Sequence, residues 1–285
     1  MKYSYFPGCC HHTSALEYDK STRAVCRELG IEFVDVPDWS CCGSTAAHST
    51  SKLLALALSA RNLALAESTG HDVTAACAAC YQRLALAHHE LMGDSKLRQK
   101  VDRVTGREFQ GKINVKSILE VVYDVGLDNI EAMTVRPLNG IKAACYYGCL
   151  MVRPSSISTD DPENPEKIDN IISAMGGETV NWGHKTECCG ASLAVSNEDI
   201  VIRLVDRILS DAVKAGANCF VTACPLCHFN LDVRQAKINR KMKTNYRLPV
   251  FYFTQLMGVA MGLNSEDLST NTHFVGTSGL LASLA

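Results

Sequence analysis

Residues 41–43 read Cys-Cys-Gly and residues 77–80 read Cys-Ala-Ala-Cys, and this pair of motifs occurs twice in the chain. The second copy is Cys-Cys-Gly at 188–190 and Cys-Pro-Leu-Cys at 224–227. All four cysteines of the first copy reappear at one offset of 147 residues (188 minus 41, and likewise for the other three). Four coincidences at one offset indicate an internal duplication.

Each copy also has a Gly-Cys pair upstream, Gly8-Cys9 in the first half and Gly148-Cys149 in the second. Each half therefore offers five cysteines in the same order: one alone, then Cys-Cys-Gly, then Cys-x-x-Cys. The duplication predicts two related domains. The first, 1–138, holds one cysteine set and the linker, and the second, 139–285, holds the other set and the C-terminal tail.

Strand-like and helical segments alternate along both halves, and every motif cysteine follows a strand-like run. The predicted strands are 2–6, 31–36, 73–76, 141–144, 178–182, 218–222 and 249–253. The predicted helices are 14–29 with Ser14 as N-cap and Gly30 as stop, 50–68, 81–92, 199–215 and one from about 254. Alternation of this kind implies right-handed crossovers and parallel strands.

The predicted fold class is therefore α/β, with two tandem related domains, each a small parallel sheet flanked by helices. Ligands of such sheets bind beyond the carboxyl ends of the strands, so we expect the five thiols of each half to converge at one sheet edge. Gly43 and Gly190, next to the paired cysteines, are interpreted as positions where the backbone passes close to a bulky group.

Fourteen cysteines are unusual for a chain of 285 residues with no visible secretion signal. The net charge of −2 argues against a nucleic-acid-binding surface, and the 47% hydrophobic content argues against disorder. The N-terminus lacks the apolar run of a signal peptide, and residues 248–263 suit a strand and a helix better than a membrane span. We therefore expect a cytoplasmic protein in which dense cysteine means metal ligation or thiol chemistry.

Three kinds of site can use converging thiols. A structural zinc ion takes four ligands, which leaves one cysteine per half without a role. A thioredoxin-like dithiol explains the Cys-x-x-Cys pairs and ignores the other three cysteines of each half. Iron–sulfur ligation suits clustered soft thiolates, yet a standard four-iron cluster also needs only four cysteines. The residues alone leave the fifth cysteine unexplained.

The two motif blocks together resemble the duplicated CCG domain of the family formed by the B subunits of heterodisulfide reductase. Four further stretches share the resemblance: MKYSYFPGC at the start, TECCGASL at 186–193, TACPLCHFNLD at 222–232 and LPVFYFTQLMGVAMGL at 248–263. The resemblance implies two noncubane 4Fe-4S clusters, each held by five cysteines. The implied ligands are Cys9, Cys41, Cys42, Cys77 and Cys80 for one cluster, and Cys149, Cys188, Cys189, Cys224 and Cys227 for the other.

This resemblance also implies an oxidoreductase that reduces, or in reverse forms, a disulfide between the two clusters. The electrons would come from a cubane iron–sulfur subunit and a flavoprotein subunit, and the substrate would be a small or protein-bound disulfide or thiol. The alternative within the same family is an electron-transfer or anchoring subunit of a succinate dehydrogenase or fumarate reductase type of complex, with zinc in one of the two sites.

Several residues near the motifs have less defined roles. The clusters themselves are the expected catalytic groups, with His11 and His12 as secondary candidates that are otherwise solvated loop residues. Cys10 is interpreted as a spare thiol near the first cluster, and Lys96–Lys116 as a basic stretch that includes the linker. The same two alternatives apply to His184 and His228, whereas buried small hydrophobic roles are predicted for three other cysteines, Cys26, Cys145 and Cys219.

Overall fold

The computed structural model describes residues 1–44 and 46–284 and contains two four-stranded parallel sheets. The first sheet has the order β2-β1-β3-β4, with strands β1 Lys2–Phe6, β2 Glu32–Asp35, β3 Val73–Ala75 and β4 Val115–Ser117. The second has the order β6-β5-β7-β8, with strands β5 Lys142–Tyr146, β6 Glu178–Thr179, β7 Cys219–Thr222 and β8 Val250–Tyr252. The equal strand order of the two sheets confirms the duplicated α/β architecture.

Helices connect the strands and cover the sheets. They are α1 Leu16–Glu28, α2 Ala47–Thr50, α3 Lys52–Glu67, α4 Ala78–Gly93, α5 Ser95–Thr105, α6 Ile118–Tyr123, α7 Leu127–Ala132, α8 Lys167–Ala174, α9 Glu198–Lys214, α10 Pro225–Val233, α11 Gln235–Met242, α12 Phe253–Ala260, α13 Ser265–Leu268 and α14 Ser278–Ala282. Short 3-10 turns lie at Cys10–His12, Ser155–Ile157, Ala191–Leu193 and Thr270–Thr272. None of the helices in the described part of the chain is long and apolar enough to cross a bilayer.

The structure corrects three of the predicted elements. Ala15, not Ser14, is the N-cap of α1, and it makes no side-chain cap. The helix predicted over 50–68 is broken at Ser51, which is extended and whose side chain caps α3. The basic stretch Lys96–Lys116 is not a simple linker, because it contains most of α5 and runs into the edge strand β4. A three-residue edge strand carries too short a pattern to be recognised in sequence.

The larger of the two apolar cores contains residues of both halves, because each half packs a helix against a helix of the other. Helix α1, which follows the first cysteine of the first half, packs on α12 at the end of the second. Tyr18 stacks on Tyr252 with ring centroids 4.0 Å apart, and the hydroxyls of Ser21 and Thr254 are 2.8 Å apart. By the same symmetry α8 of the second half packs on α6. This exchange fixes how the cysteine-bearing ends of the two sheets face each other.

Candidate functional site

The motif cysteines of the first half lie just beyond the carboxyl ends of three strands, as predicted. Cys9 follows β1, and the adjacent Cys41 and Cys42 lie in the loop after β2. Cys77 follows β3 as the N-cap of α4, and Cys80 lies in the first turn of that helix. We call these five residues the first thiol set.

The motif cysteines of the second half occupy the equivalent places. Cys149 follows β5, while Cys188 and Cys189 lie in the loop after β6. Cys224 is the N-cap of α10, with Pro225 at the first helical position and Cys227 one turn in. These are the second thiol set: Cys149, Cys188, Cys189, Cys224 and Cys227.

Contacts between sulfur atoms hold each set together. In the first set, the Sγ atoms of Cys42 and Cys80 are 3.5 Å apart, and those of Cys9 and Cys41 are 4.0 Å apart. In the second set, the Cys189 and Cys227 Sγ atoms are 3.6 Å apart. A hydrogen bond joins Cys149 to Cys188 and another joins Cys224 to Cys227. The structure therefore brings together the cysteines that the sequence assigned to each site.

Cys10 makes the first set different from the second. It hydrogen-bonds to both Cys9 and Cys77, so it bridges two members of the first set. The pKa of Cys10 is raised to about 12, first by donation to Cys77, so Cys10 stays a neutral donor. Its counterpart, the residue after Cys149, is Leu150, which cannot make such a bridge. Cys10 is thus close to the first set, as the interpretation of a spare thiol requires.

Within each set, hydrogen bonds favour thiolate at some sulfurs and thiol at others. The pKa of Cys77 is lowered to about 6 because it accepts hydrogen bonds from Cys10 and Cys80. The pKa of Cys188 is lowered to about 6 by its hydrogen bond with Cys149, whose own pKa rises for the same reason. Crowded thiols divide their protons in this way because five thiolates without a cation would repel strongly.

The spacing of the thiols fits ligands of a bound metal. Two thiolates on one tetrahedral ion lie about 3.8 Å apart when each metal–sulfur bond is about 2.3 Å. The measured 3.5–4.0 Å pairs match that edge. Within residues 1–44 and 46–284, however, no three His, Cys, Asp or Glu side chains are placed to hold a single metal ion. Cys80 nevertheless contacts both Cys42 and Cys77, and Cys227 contacts both Cys189 and Cys224, so several thiols of each set lie close enough to share one bound metal group.

Glycine before the first cysteine allows this close approach in both halves. A Cβ on Gly8 would lie 2.8 Å from Cys80 Sγ, and one on Gly148 would lie 3.0 Å from Cys227 Sγ. Both glycines have positive φ, 68° and 65°. The Gly-Cys repeat is visible in the sequence, but its reason is this contact with a distant sulfur.

Gly43 and Gly190 bring the backbone close both to a motif sulfur and to a neighbouring helix: their amide nitrogens lie 3.4 Å from Cys41 Sγ and 3.3 Å from Cys188 Sγ. A Cβ on Gly43 would lie 2.7 Å from side-chain atoms of both Ala47 and Leu58. A Cβ on Gly190 would lie 3.0 Å from Leu204, on helix α9. These glycines therefore let the paired-cysteine loop pack tightly on the helix that follows it.

A cavity of about 140 Å³ lies between the halves, and we call it the central cavity. The second thiol set forms one wall, with the apolar side chains of Leu150 and Leu226 beside it. The opposite wall comes from the first half and consists of Ser44, His48 and Arg83. Cys224 of the second set acts electrostatically on both Cys10 and Cys77, so the two sets also meet close to this cavity.

Arg83 and Asn230 were not recognised as site residues from the sequence. Each lies three residues after the last cysteine of its set, and the two are 147 residues apart (230 minus 83). Arg83 donates to His48 Nδ1 at 3.1 Å, and its charge helps to lower the pKa of Cys42, which is lowered chiefly by the hydrogen bond with Cys80. Asn230 Nδ2 lies 3.7 Å from Cys189 Sγ. The offset of the repeat was the signal that could have found them.

The histidines near the motifs have individual roles in packing. His11 is buried, so its interpretation as a solvated loop residue was wrong; its Nδ1 contacts the Pro7 carbonyl. His12 is exposed and stacks on Trp39. His184 pairs with Asp211 at 2.9 Å, and His228 with the Val250 carbonyl at 3.0 Å. These contacts join all four histidines to groups other than the motif thiols.

Three cysteines outside the motifs are fully buried in the apolar core, as predicted. They are Cys26 in α1, Cys145 in β5 and Cys219 in β7. Burial raises the pKa of all three, so they remain neutral thiols.

Comparison with known proteins places both thiol sets inside one recurrent domain. The CCG family, a cysteine-rich domain, matches residues 3–85 and 143–232. The chain is 31% identical over 283 residues to the 8-methylmenaquinol:fumarate reductase membrane anchor subunit of Wolinella succinogenes, covering 98% of this chain and 99% of that one. It is 32% identical over 291 residues to the B subunit of the ferredoxin:CoB-CoM heterodisulfide reductase of Methanosarcina mazei, covering 99% and 97%.

A protein of Archaeoglobus profundus that is itself named as similar to the B subunit of heterodisulfide reductase is 29% identical over 279 residues, covering 94% of this chain and 93% of that one. Among solved structures, a hypothetical protein from Helicobacter pylori superposes with a TM-score of 0.78 at 16% identity over 96% of this chain. At 16% identity this likeness shows the fold alone, and the chain spans 52% of that solved protein.

Proposed function

The chain belongs to the family of duplicated cysteine-rich CCG proteins that includes the B subunits of heterodisulfide reductase, and we propose that it is the catalytic iron–sulfur subunit of a heterodisulfide reductase-like complex. In this proposal each thiol set holds a noncubane 4Fe-4S cluster, and a disulfide is reduced, or formed, between the two. Partner subunits, a cubane iron–sulfur protein and a flavoprotein, supply the electrons.

The central cavity is the observation that carries this proposal. All five cysteines of the second set line it, so the group that they hold would lie in it, and Ser44, His48 and Arg83 of the first half close its other side. A reactant between the two sets would then meet the group held by the second set on one side and Ser44, His48 and Arg83 on the side of the first set. Reduction of one disulfide consumes two electrons and two protons and releases two thiols, so a site between two one-electron centres matches the demand.

The protein's own residues would position and stabilise the reactants. When bound, the iron–sulfur groups supply electrons one at a time. The cysteines of the two sets hold those groups as thiolates. Leu150 and Leu226 keep water from one side of the cavity, which strengthens electrostatic interactions inside it. Arg83 presents a cation where negative charge develops on a departing thiolate.

A second function is favoured by one of the relatives. The 31% identity to a fumarate reductase membrane anchor subunit equals the likeness to one of the heterodisulfide reductase B subunits. Under this alternative the chain is an electron-transfer or anchoring subunit of a succinate dehydrogenase or fumarate reductase type of complex, with zinc in one of the sites.

Anaerobic purification with bound partners separates these two functions. The first proposal expects two iron–sulfur groups per chain, a partner flavoprotein with cubane clusters, and an electron paramagnetic resonance (EPR) spectrum that changes when a disulfide is added. A succinate dehydrogenase flavoprotein as partner, or one zinc per chain, would favour the second.

Single cysteine variants test the ligand assignment. Cys42→Ser is expected to change the EPR signal of one site and Cys189→Ser that of the other, because each lies in a different set. Cys26→Ser is the matched control, since Cys26 is buried in α1 away from both sets. Unchanged spectra in both motif variants would contradict five-thiol ligation.

A further inference from the structure

The duplication places equivalent residues beside the two thiol sets, and these residues differ in charge. At the position three residues after the last cysteine, the first half has Arg83 and the second has Asn230. At the position before the paired cysteines, the first half has Ser40 and the second has Glu187. Both differences make the surroundings of the first set more positive.

Among the residues that the structure describes, Arg83 is a cation without a carboxylate partner. The guanidinium donates to His48 Nδ1 at 3.1 Å, and its Nε is buried without a hydrogen bond. No ion pair of Arg83 occurs within the described residues. The nearby carboxylate of Glu90 pairs instead with Lys52, at 2.8 Å. Its positive charge is therefore not cancelled locally.

In the second half the equivalent residue, Asn230, is neutral, and the arginine beside it is paired with a carboxylate. Asn230 donates to the Cys189 carbonyl at 3.1 Å, and its own carbonyl accepts from Arg234 Nε at 2.8 Å. Arg234 in turn pairs with Glu198 at 2.8 Å, which neutralises it. The counterpart of His48 in this half is Val195. The second set thus receives the dipole of an amide, whereas the first receives a full charge.

Glu187 acts in the opposite direction on the second set. It is exposed and directly precedes Cys188. A negative charge beside a thiolate disfavours the addition of an electron to the group that the thiolate binds. An unpaired cation nearby favours it, because reduction makes the site more negative.

We infer that the two sites are unequal electron acceptors, the first having the higher reduction potential, and that Arg83 is the main residue that sets them apart. This inference rests on the proposed iron–sulfur function. A unit charge acting across about 10 Å at an effective dielectric constant of about 20 changes a one-electron equilibrium by roughly tenfold. The amide of Asn230 acts in the same direction as Arg83, but a neutral donor has a smaller effect than a charged one.

The functional consequence is a fixed order in which the two sites are reduced. The first electron delivered to the protein comes to rest at the first site, and the second site is reduced only afterwards. Arg83 acts here as a positioning and tuning residue through Cys42 and need not touch the reactant.

The test is an EPR-monitored redox titration of the purified, cluster-containing chain. The Cys42→Ser and Cys189→Ser spectra assign each signal to its site. Arg83→Gln should lower the midpoint of the first site by at least a tenfold change in the one-electron equilibrium, about 59 mV, and lower the midpoint of the second site, whose cavity Arg83 also lines, by a smaller amount. Arg83→Lys should restore most of the shift. Arg103→Gln, an exposed arginine of α5, removes the same charge outside the central cavity and should move neither midpoint.

Glu187→Gln gives an independent measurement at an exposed position with little risk of misfolding. It should raise the reduction midpoint of the second site and so reduce the difference between the midpoints of the two sites. Equal midpoints in the native chain, or an Arg83→Gln midpoint that stays or rises with full iron content, would overturn the inference and leave the proposed function standing. A chain without redox-active iron would overturn both.

Discussion

Replacing Gly8 by alanine tests whether the first thiol set depends on close approach of the backbone to a sulfur atom. An alanine Cβ would lie 2.8 Å from Cys80 Sγ, and the optimum separation is about 3.5–4.0 Å, so the sulfur must move by roughly 0.7 Å or more. The backbone adds a second cost, since φ at Gly8 is 68° and the left-handed region costs other residues about 1–2 kcal/mol.

Gly30→Ala is the matched control, because it has the strain without the contact. Its φ is 69°, and a Cβ there would meet nothing within 4 Å. Gly30→Ala should therefore lose about 1–2 kcal/mol of stability in urea unfolding, and Gly8→Ala should lose at least as much. Only Gly8→Ala should also lose the group held by the first set, which lowers the iron content per chain to about half of the native value.

The assay is iron and sulfide analysis of both variants after identical anaerobic purification, with EPR to show which site remains. Gly148→Ala should give the mirror result, because its Cβ would lie 3.0 Å from Cys227 Sγ. Equal iron contents in Gly8→Ala and Gly30→Ala would refute the reasoning, since the contact with Cys80 would then have no effect of its own.

Three further predictions concern stability and the extra thiol. Lys185→Met should lower the free energy of unfolding in urea by about 3–5 kcal/mol, because it removes the cation 3.0 Å from the buried carboxylate of Asp169. Lys237→Met, at the exposed pair with Glu198, should lower it by less than about 1 kcal/mol. The pKa of His273 is lowered to about 4, first by burial, so the unfolded chain binds more protons below pH 6.5. The free energy of unfolding should therefore fall as the pH drops from 6.5 to 4, by at most about 3 kcal/mol from this group. In His273→Gln the urea midpoint should depend less on pH in this range, and an unchanged pH dependence would contradict the prediction. Cys10→Ala should retain the native iron content while Cys9→Ala should not, and loss of iron in both would make Cys10 a ligand.

The local parts of the fold were predictable because they depend on neighbouring residues. The strand Lys2–Phe6 and the glycine stop of α1 were found at the right places, since a short apolar run and a glycine are local signals. The edge strand β4 and the break at Ser51 were not found. The first exists through its pairing with β3, and the second is a single extended residue inside a helical pattern.

The duplication, the two sets of five cysteines and their placement after strands could be read from the chain alone, because repeat offset and strand–helix alternation are properties of the sequence. How the sets face each other could not, since that follows from α1 packing on α12 and α8 on α6. The same holds for the position of Arg83 at the central cavity and for the bridge that Cys10 makes between Cys9 and Cys77. The physical reason is the range of the interactions. Hydrogen bonds along a helix are set within a few residues, whereas contacts between the halves join residues that are 47 positions apart, as Tyr123 and Asn170 are, or 233 positions apart, as Ser21 and Thr254 are.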